Sequence, residues 1–395
     1  MHPRQTEQHK KGRNTVCHRI CLMLSCLMLA GCGTGKDKLD ASEDNLSQAE
    51  MTNKTQAQTD DNTLGAAETE IAPDAVVSQD VFAMDTYMTV TAYGAGADQA
   101  VTDAIEEINR LDALLSTGQI HSEVAELNEQ GGSKSLSTDT AYLFSRALDL
   151  YQDTDGVFDI AIYPIMKAWG FAGDTYQVPS ETELQELLQH IDADQISFSE
   201  EERQVSFLEE GMAVDFGGIA KGYTSARIMD IFREAGLHSG VVNLGGNVQV
   251  YGTKPDGSFW KVGIQDPWDS DGYLGIVSVA DQAVITSGGY ERFFEQDGVT
   301  YHHIIDPDTG YPADSGLVSA TVISTDGTLA DGLSTTLFIM GEEKAEAYWR
   351  KHPEWFDMML LTEDGTLYVT EGIAEQVTSS YPITIITKQQ AIAKR

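Results

Sequence analysis

Beyond position 32 the chain has no cysteine: its four, Cys17, Cys21, Cys26 and Cys32, fall in the first 32 of 395 residues. The remainder therefore has no disulfide, no thiolate metal ligand and no cysteine nucleophile. Basic residues are also scarce, 25 Lys and Arg against 62 Asp and Glu, for a net charge of −37. Setting aside residues 1–31, with five basic side chains and one acidic, takes that charge to −41. So acidic a chain argues against nucleic acid as a partner and against electrostatic attachment to a membrane. An anionic substrate would need local devices: a metal ion, backbone N–H groups or a lone lysine. No fixed-period repeat is present, which sets aside solenoids and propellers. The Gly-x-x-x-x-Gly-Lys-Ser/Thr spacing of a Walker P-loop is absent too.

What is present begins with an address. Arg4, Lys10, Lys11, Arg13 and Arg19 precede an apolar run from Ile20 to Ala30. That run is short for a bilayer span and suits the core of a signal peptide. It ends Leu29-Ala30-Gly31-Cys32, which resembles a lipobox, with Cys32 the residue to be lipidated. The expectation is a lipoprotein signal peptide over 1–31 and a protein anchored by lipid at the extracytoplasmic face of the cell membrane. Residues 32–79 are polar and acidic with few large apolar side chains, the composition of a disordered tether. Residues 80–395 are long enough for a sizeable core.

Within that region, the pattern predicts a strand over Val81–Ala92 and a helix over Asp98–Leu115. Ser137 caps a second helix, and Ser180 with Glu183 forms a capping box. Strand-like segments follow at 204–208, 212–216, 241–244, 248–251, 260–264, 274–279, 283–286 and 317–324. Helices are predicted after Gly218 to Ala235 and from Leu329 to Met340, ending at Gly341, then a strand pair turning on Glu363-Asp364-Gly365. Many strands joined by tight turns, with a few long helices, indicate an α+β fold of largely antiparallel sheets flanked by helices.

Four segments carry chemistry. Val214-Asp215-Phe216-Gly217-Gly218, leading to Lys221, is a strand, a glycine pair and a helix start, either an anion cradle or a plain turn. Asn243-Leu244-Gly245-Gly246-Asn247 and Thr286-Ser287-Gly288-Gly289 repeat the glycine break; each is a hairpin or a place where backbone lines a ligand. Asp331 and Thr335 stand one helical turn apart. They are magnesium ligands, or an acidic first-turn residue and a back-bonded threonine. Finally, His302 and His303 precede the turn sequence Asp306-Pro307-Asp308-Thr309-Gly310. Neighbours on an extended chain face opposite ways, so only one imidazole can serve a given pocket.

In order and spacing these segments resemble the ApbE family of FAD:protein FMN transferases. The likeness covers about residues 84 to 336 and is carried by Met84-Asp85-Thr86, Leu115-Ser116-Thr117, Thr154 to Asp159, Trp169-Gly170-Phe171, Asp215 to Tyr223, Asn243 to Gly246, Thr286-Ser287-Gly288, His303 to Gly310 and Ala330-Asp331-Gly332. The resemblance implies an ApbE-like, T-fold-like domain. It implies a reaction in which FAD is split, AMP leaves, and FMN is joined to a threonine or serine of an acceptor flavoprotein, a subunit of a membrane electron-transport complex.

By the same resemblance Met84, Val157, Phe158, Asp159, Lys221, His303 and Ile305 would contact FAD. Asp331, Thr335 and the carbonyl of Gly218 would hold Mg²⁺. His303 is the candidate base, with Asp306 in a supporting catalytic role. The chain departs from the family at Gly118, where many members carry a flavin-stacking tyrosine, a contact worth about 1 kcal/mol. Tyr290 or Trp169 is the candidate substitute. Two other readings share the same residues: a Mg²⁺-dependent FAD pyrophosphatase, and a flavin-binding lipoprotein without catalysis.

Overall fold

The computed structural model describes residues 75–173 and 175–389. The expected signal peptide, Cys32 and all of the tether up to residue 74 lie outside them. The first described strand begins at Val76, and residues 76–79 pair with Val90–Tyr93 of the next strand.

A nine-stranded sheet runs through the molecule. From one edge its strands are Val76–Ala83, Thr86–Tyr93, Ser239–Leu244, Asn247–Gly252, Ala283–Gly288, Leu317–Ser324, Asp357–Thr362, Leu367–Thr370 and Ile383–Ile386. All of its pairings are antiparallel except the last. Alternation along the strands sends successive side chains to two cores. Ala320, Val322, Met358 and Leu360 face the helices Thr138–Asp153 and Gly327–Lys351. Ile323, Met359 and Leu361 face a small sheet built on Trp260–Gln265 and Tyr273–Val279. The helices Ala97–Leu115 and Ala220–Glu234 close the first half of the sheet with Val101, Ile108, Ile228 and Phe232. The predicted α+β class with mostly antiparallel sheets is what the chain adopts.

Several expectations change in detail. The segment 81–92 is not one strand but the end of one arm, the turn and most of the second arm of a hairpin. Met84 and Asp85 both take positive φ, 48° and 60°, the two-residue turn that matches strand twist. Residues 212–216 form no strand: Val214 bonds through both backbone groups to the Asn128 side-chain amide, and Asp215 N–H donates to Ile160 O. The helix expected to stop at Gly341 breaks there, at φ 76° and ψ 171°, but resumes to Lys351. The hairpin Phe293–Gln296 with Val299–His302, turning on Asp297-Gly298, was not foreseen.

Candidate active site

The site is built where two helix beginnings meet the ends of sheet strands. A Cβ on Gly222 would sit 2.2 Å from Gly327 O and 2.5 Å from Asp331 Cβ, so only glycine lets these helices come so close. The approach lets Gly222 N–H donate to Asp331 Oδ2 at 2.7 Å. Asp331 is 5% exposed. Burial pushes its carboxyl up to about 6, against the opposing pull of the Lys221 charge and of N–H donors from Gly222 and Lys221. A carboxylate so enclosed calls for a cationic partner.

One turn on, Thr335 Oγ1 lies 3.3 Å from Ser287 Oγ, which is itself 2.8 Å from Ser334 Oγ. A side chain on Gly218 would come within 3.8 Å of Thr335 Oγ1 and 3.1 Å of the Phe158 ring. Gly218, far along the chain from Asp331 and Thr335, thus comes to their helix. Their donors are all oxygen, suited to a hard divalent cation whose remaining positions go to water and phosphate. Among the described residues no cluster of three or more His, Cys, Asp or Glu forms a metal cage. Such a cage is not what Mg²⁺ at a phosphate needs.

Lys221 lies in the first turn of the helix Ala220–Glu234, beside Gly222. Its charge acts on Asp331, on His303 and on Glu291. Glu291 is exposed as a residue, yet its carboxyl lies in the cleft close to Gly246, where desolvation shifts it upward while Lys221 opposes the shift.

The two histidines separate as alternation requires. His303 Nδ1 is 3.1 Å from Arg292 O. A carbonyl only accepts, so Nδ1 carries the proton and Nε2 keeps a lone pair. Burial, then Lys221, pushes this imidazole down to about 3, so it is neutral at physiological pH. His302 instead donates from Nε2 to Ala313 O at 3.2 Å, accepts from Ile304 N–H at Nδ1, and packs its ring against Phe338.

Other expected residues take different parts. Asp306 does not orient His303: its Oδ1 accepts from Asp308 N–H at 2.9 Å, closing its own turn, and the orienting acceptor is Arg292 O. Asp159 likewise spends its carboxylate on structure. Oδ1 accepts from Ala161 N–H at 2.7 Å and Oδ2 from Ala193 N–H at 3.2 Å, and burial pushes it up to about 6. The Ile305 side chain is buried with Ile165, Trp169 and Phe171, leaving its backbone for any ligand. Phe158 is core beneath Gly218, whereas Val157 beside it is half-buried. Met84 tips the first hairpin, with its N–H bonded to Asp112 Oδ1 at 3.0 Å and its sulfur near Thr224.

Of the two residues named as substitutes for the missing tyrosine, one lies in the core and the other lines a cavity. Trp169 is fully buried and donates to Gly310 O at 2.7 Å. Tyr290 lines a cavity of about 620 Å³, with Trp268, Phe293, Tyr301, His302 and Tyr311. Around Gly118 the space is open, with nothing within 4 Å of a Cβ placed there.

With this geometry in view, comparison with known proteins is direct. The profile of the ApbE family matches residues 84–360, a span that includes every residue of the cleft. The chain belongs to the ApbE family. An FAD:protein FMN transferase of Treponema pallidum is 34% identical over 312 residues, covering 74% of this chain and 86% of its own. One from Klebsiella pneumoniae is 33% identical over 271 residues, covering 68% and 84%. The crystal structure of an ApbE protein from Thermotoga maritima superposes with a TM-score of 0.72 at 30% identity, covering 76% of this chain and 99% of that one.

For an ApbE member, sequence reasoning missed Asn247, Ser287, Glu291 and Arg292. The first two lie in the glycine-break segments it singled out as backbone features, without weighing their side chains.

Proposed function

We propose that this protein transfers FMN from FAD to a threonine or serine hydroxyl of an acceptor flavoprotein, releasing AMP, with Mg²⁺ as cofactor. The observation that carries the reading is the meeting of Gly218, Asp331 and Thr335 at the start of the helix that bears Lys221, in a chain of the ApbE family. Atoms balance simply. The acceptor oxygen bonds to the FMN phosphorus, the bridging P–O bond to AMP breaks, and the hydroxyl proton passes to a base.

His303 Nε2 is that base in this reading, with Arg292 O holding the productive tautomer. Burial and the charges of Lys221 and Arg292 keep the imidazole unprotonated. A diphosphate there offsets those charges and raises its basicity. Lys221 supplies a point charge to the phosphates. Asp331, Thr335 and the Gly218 carbonyl would hold Mg²⁺, which supplies charge neutralisation at the diphosphate and the leaving AMP. Met84, Val157 and the backbone of Ile305 would contact the rest of FAD. The lipobox at Cys32 and the segment after it support a lipid-anchored enzyme reaching an acceptor in a membrane electron-transport complex. Among the described residues no helix is long and apolar enough to cross a membrane.

The test is to incubate the full-length protein with FAD, Mg²⁺ and a candidate acceptor, following AMP and the acceptor mass. FMN on the acceptor supports transfer. AMP without labelling supports the pyrophosphatase, a reading favoured only by the open space at Gly118. Bound FAD without AMP would leave a flavin carrier.

A further inference from the structure

Asn247 is 2% exposed, and among the described residues neither its Oδ1 nor its Nδ2 has a hydrogen-bond partner. A buried amide left without partners is costly, on the order of 1–3 kcal/mol for each group, and calls for an explanation. Its place in the fold supplies one. Asn247 opens the strand Asn247–Gly252 and stands opposite Ile285 of the neighbouring strand. Two residues along on the same face, Gln249 bonds Ser225 Oγ of the helix Ala220–Glu234 at 2.7 Å. Gln249 Oε1 also stands 2.4 Å from a Cβ placed on Gly327 of the facing helix. Two residues beyond Ile285, Ser287 touches Thr335. Asn247 therefore lies under the seam that carries Asp331 and Thr335. It is near enough to Asp331 to favour the charged carboxylate, although no full hydrogen bond joins them.

We propose that Asn247 is a positioning residue for the divalent cation site: its amide hydrogens fix the Asp331 carboxylate and its amide oxygen accepts from water in the cation's hydration shell. The inference rests on the Mg²⁺ reading above and deepens it. Cation ligands are held in orientation by partners outside the coordination sphere, and losing one such partner weakens binding roughly 10- to 100-fold. The hydrated ion would supply the partner that this buried amide calls for.

The experiment compares the full-length wild type with Asn247→Leu, similar in size and without polar atoms. Mn²⁺ affinity is read by paramagnetic titration and thermal stability without cation by calorimetry. Saturable Mn²⁺ binding by the wild type tests the metal reading on its own. Given that binding, Asn247→Leu should weaken it at least about tenfold while leaving the cation-free melting temperature equal or higher, since an apolar side chain has no unmet hydrogen bonds. Affinity within about twofold of wild type would overturn the proposal, and so would a lowered cation-free melting temperature with unchanged affinity. If Asn247→Leu does not fold, Asn247→Ala is read for Mn²⁺ affinity against the same thresholds.

Discussion

Gly222 N–H donates to Asp331 Oδ2 at 2.7 Å across the seam of two helices that begin on opposite sides of it. This contact exists because Gly222 lacks a side chain. With alanine there, a Cβ would fall inside contact distance of Gly327 O and Asp331 Cβ. We expect Gly222→Ala to destabilise the fold by about 1–3 kcal/mol through overpacking and to weaken Mg²⁺-dependent turnover by displacing Asp331. Denaturant unfolding and AMP release check the two effects separately.

Asp331→Ala removes the only carboxylate among the proposed metal ligands. Turnover in saturating FAD should fall by more than about a hundredfold, since a ligand matters more than the partners that orient it. Undiminished AMP production would sink the assignment of Asp331.

His303 gives a pH expectation with a definite sign. Its imidazole is held below the ordinary histidine value, at about 3 in the fold. The unfolded chain therefore binds that proton first, and stability is lost as pH falls from about 6.5 toward 3. His303→Gln should flatten this part of the stability curve, measured by urea unfolding at several pH values. It should also slow transfer by about 10²- to 10⁴-fold, the range for a lost general base. An unchanged rate would remove His303 from the chemistry.

Gly118 lies in open space with ordinary negative φ. Gly118→Tyr should fold normally and tighten FAD binding by up to about tenfold, the equivalent of a single aromatic stacking contact. Fluorescence titration with FAD decides this; unchanged affinity would show that the flavin ring does not reach this loop.

These residues also show what the sequence could and could not convey. Helix caps at Ser137 and Ser180 act locally, so their chemistry was readable and the structure repeats it. The spacing of Asp331 and Thr335 is equally local, but their meeting with Gly218 depends on helix packing through Gly222, a long-range contact. Asp159 and Asp306 each accept a nearby backbone N–H, from Ala161 and Asp308, and such turn contacts are not spelled out by residue identity alone. The orienting partner of His303 is a backbone carbonyl, and carbonyls leave no trace in residue identity. The strand expected over 212–216 failed for a similar reason: the Asn128 amide replaced a ladder partner.

The most direct test of the account is the mass of an acceptor flavoprotein after incubation with the full-length protein and FAD, with Mg²⁺ or with excess EDTA. With Mg²⁺ the acceptor should gain one FMN on a threonine or serine, matched by an equal amount of AMP; with EDTA it should gain none. Equal labelling under both conditions would contradict a site built around Asp331, Thr335 and Gly218 to hold a cation.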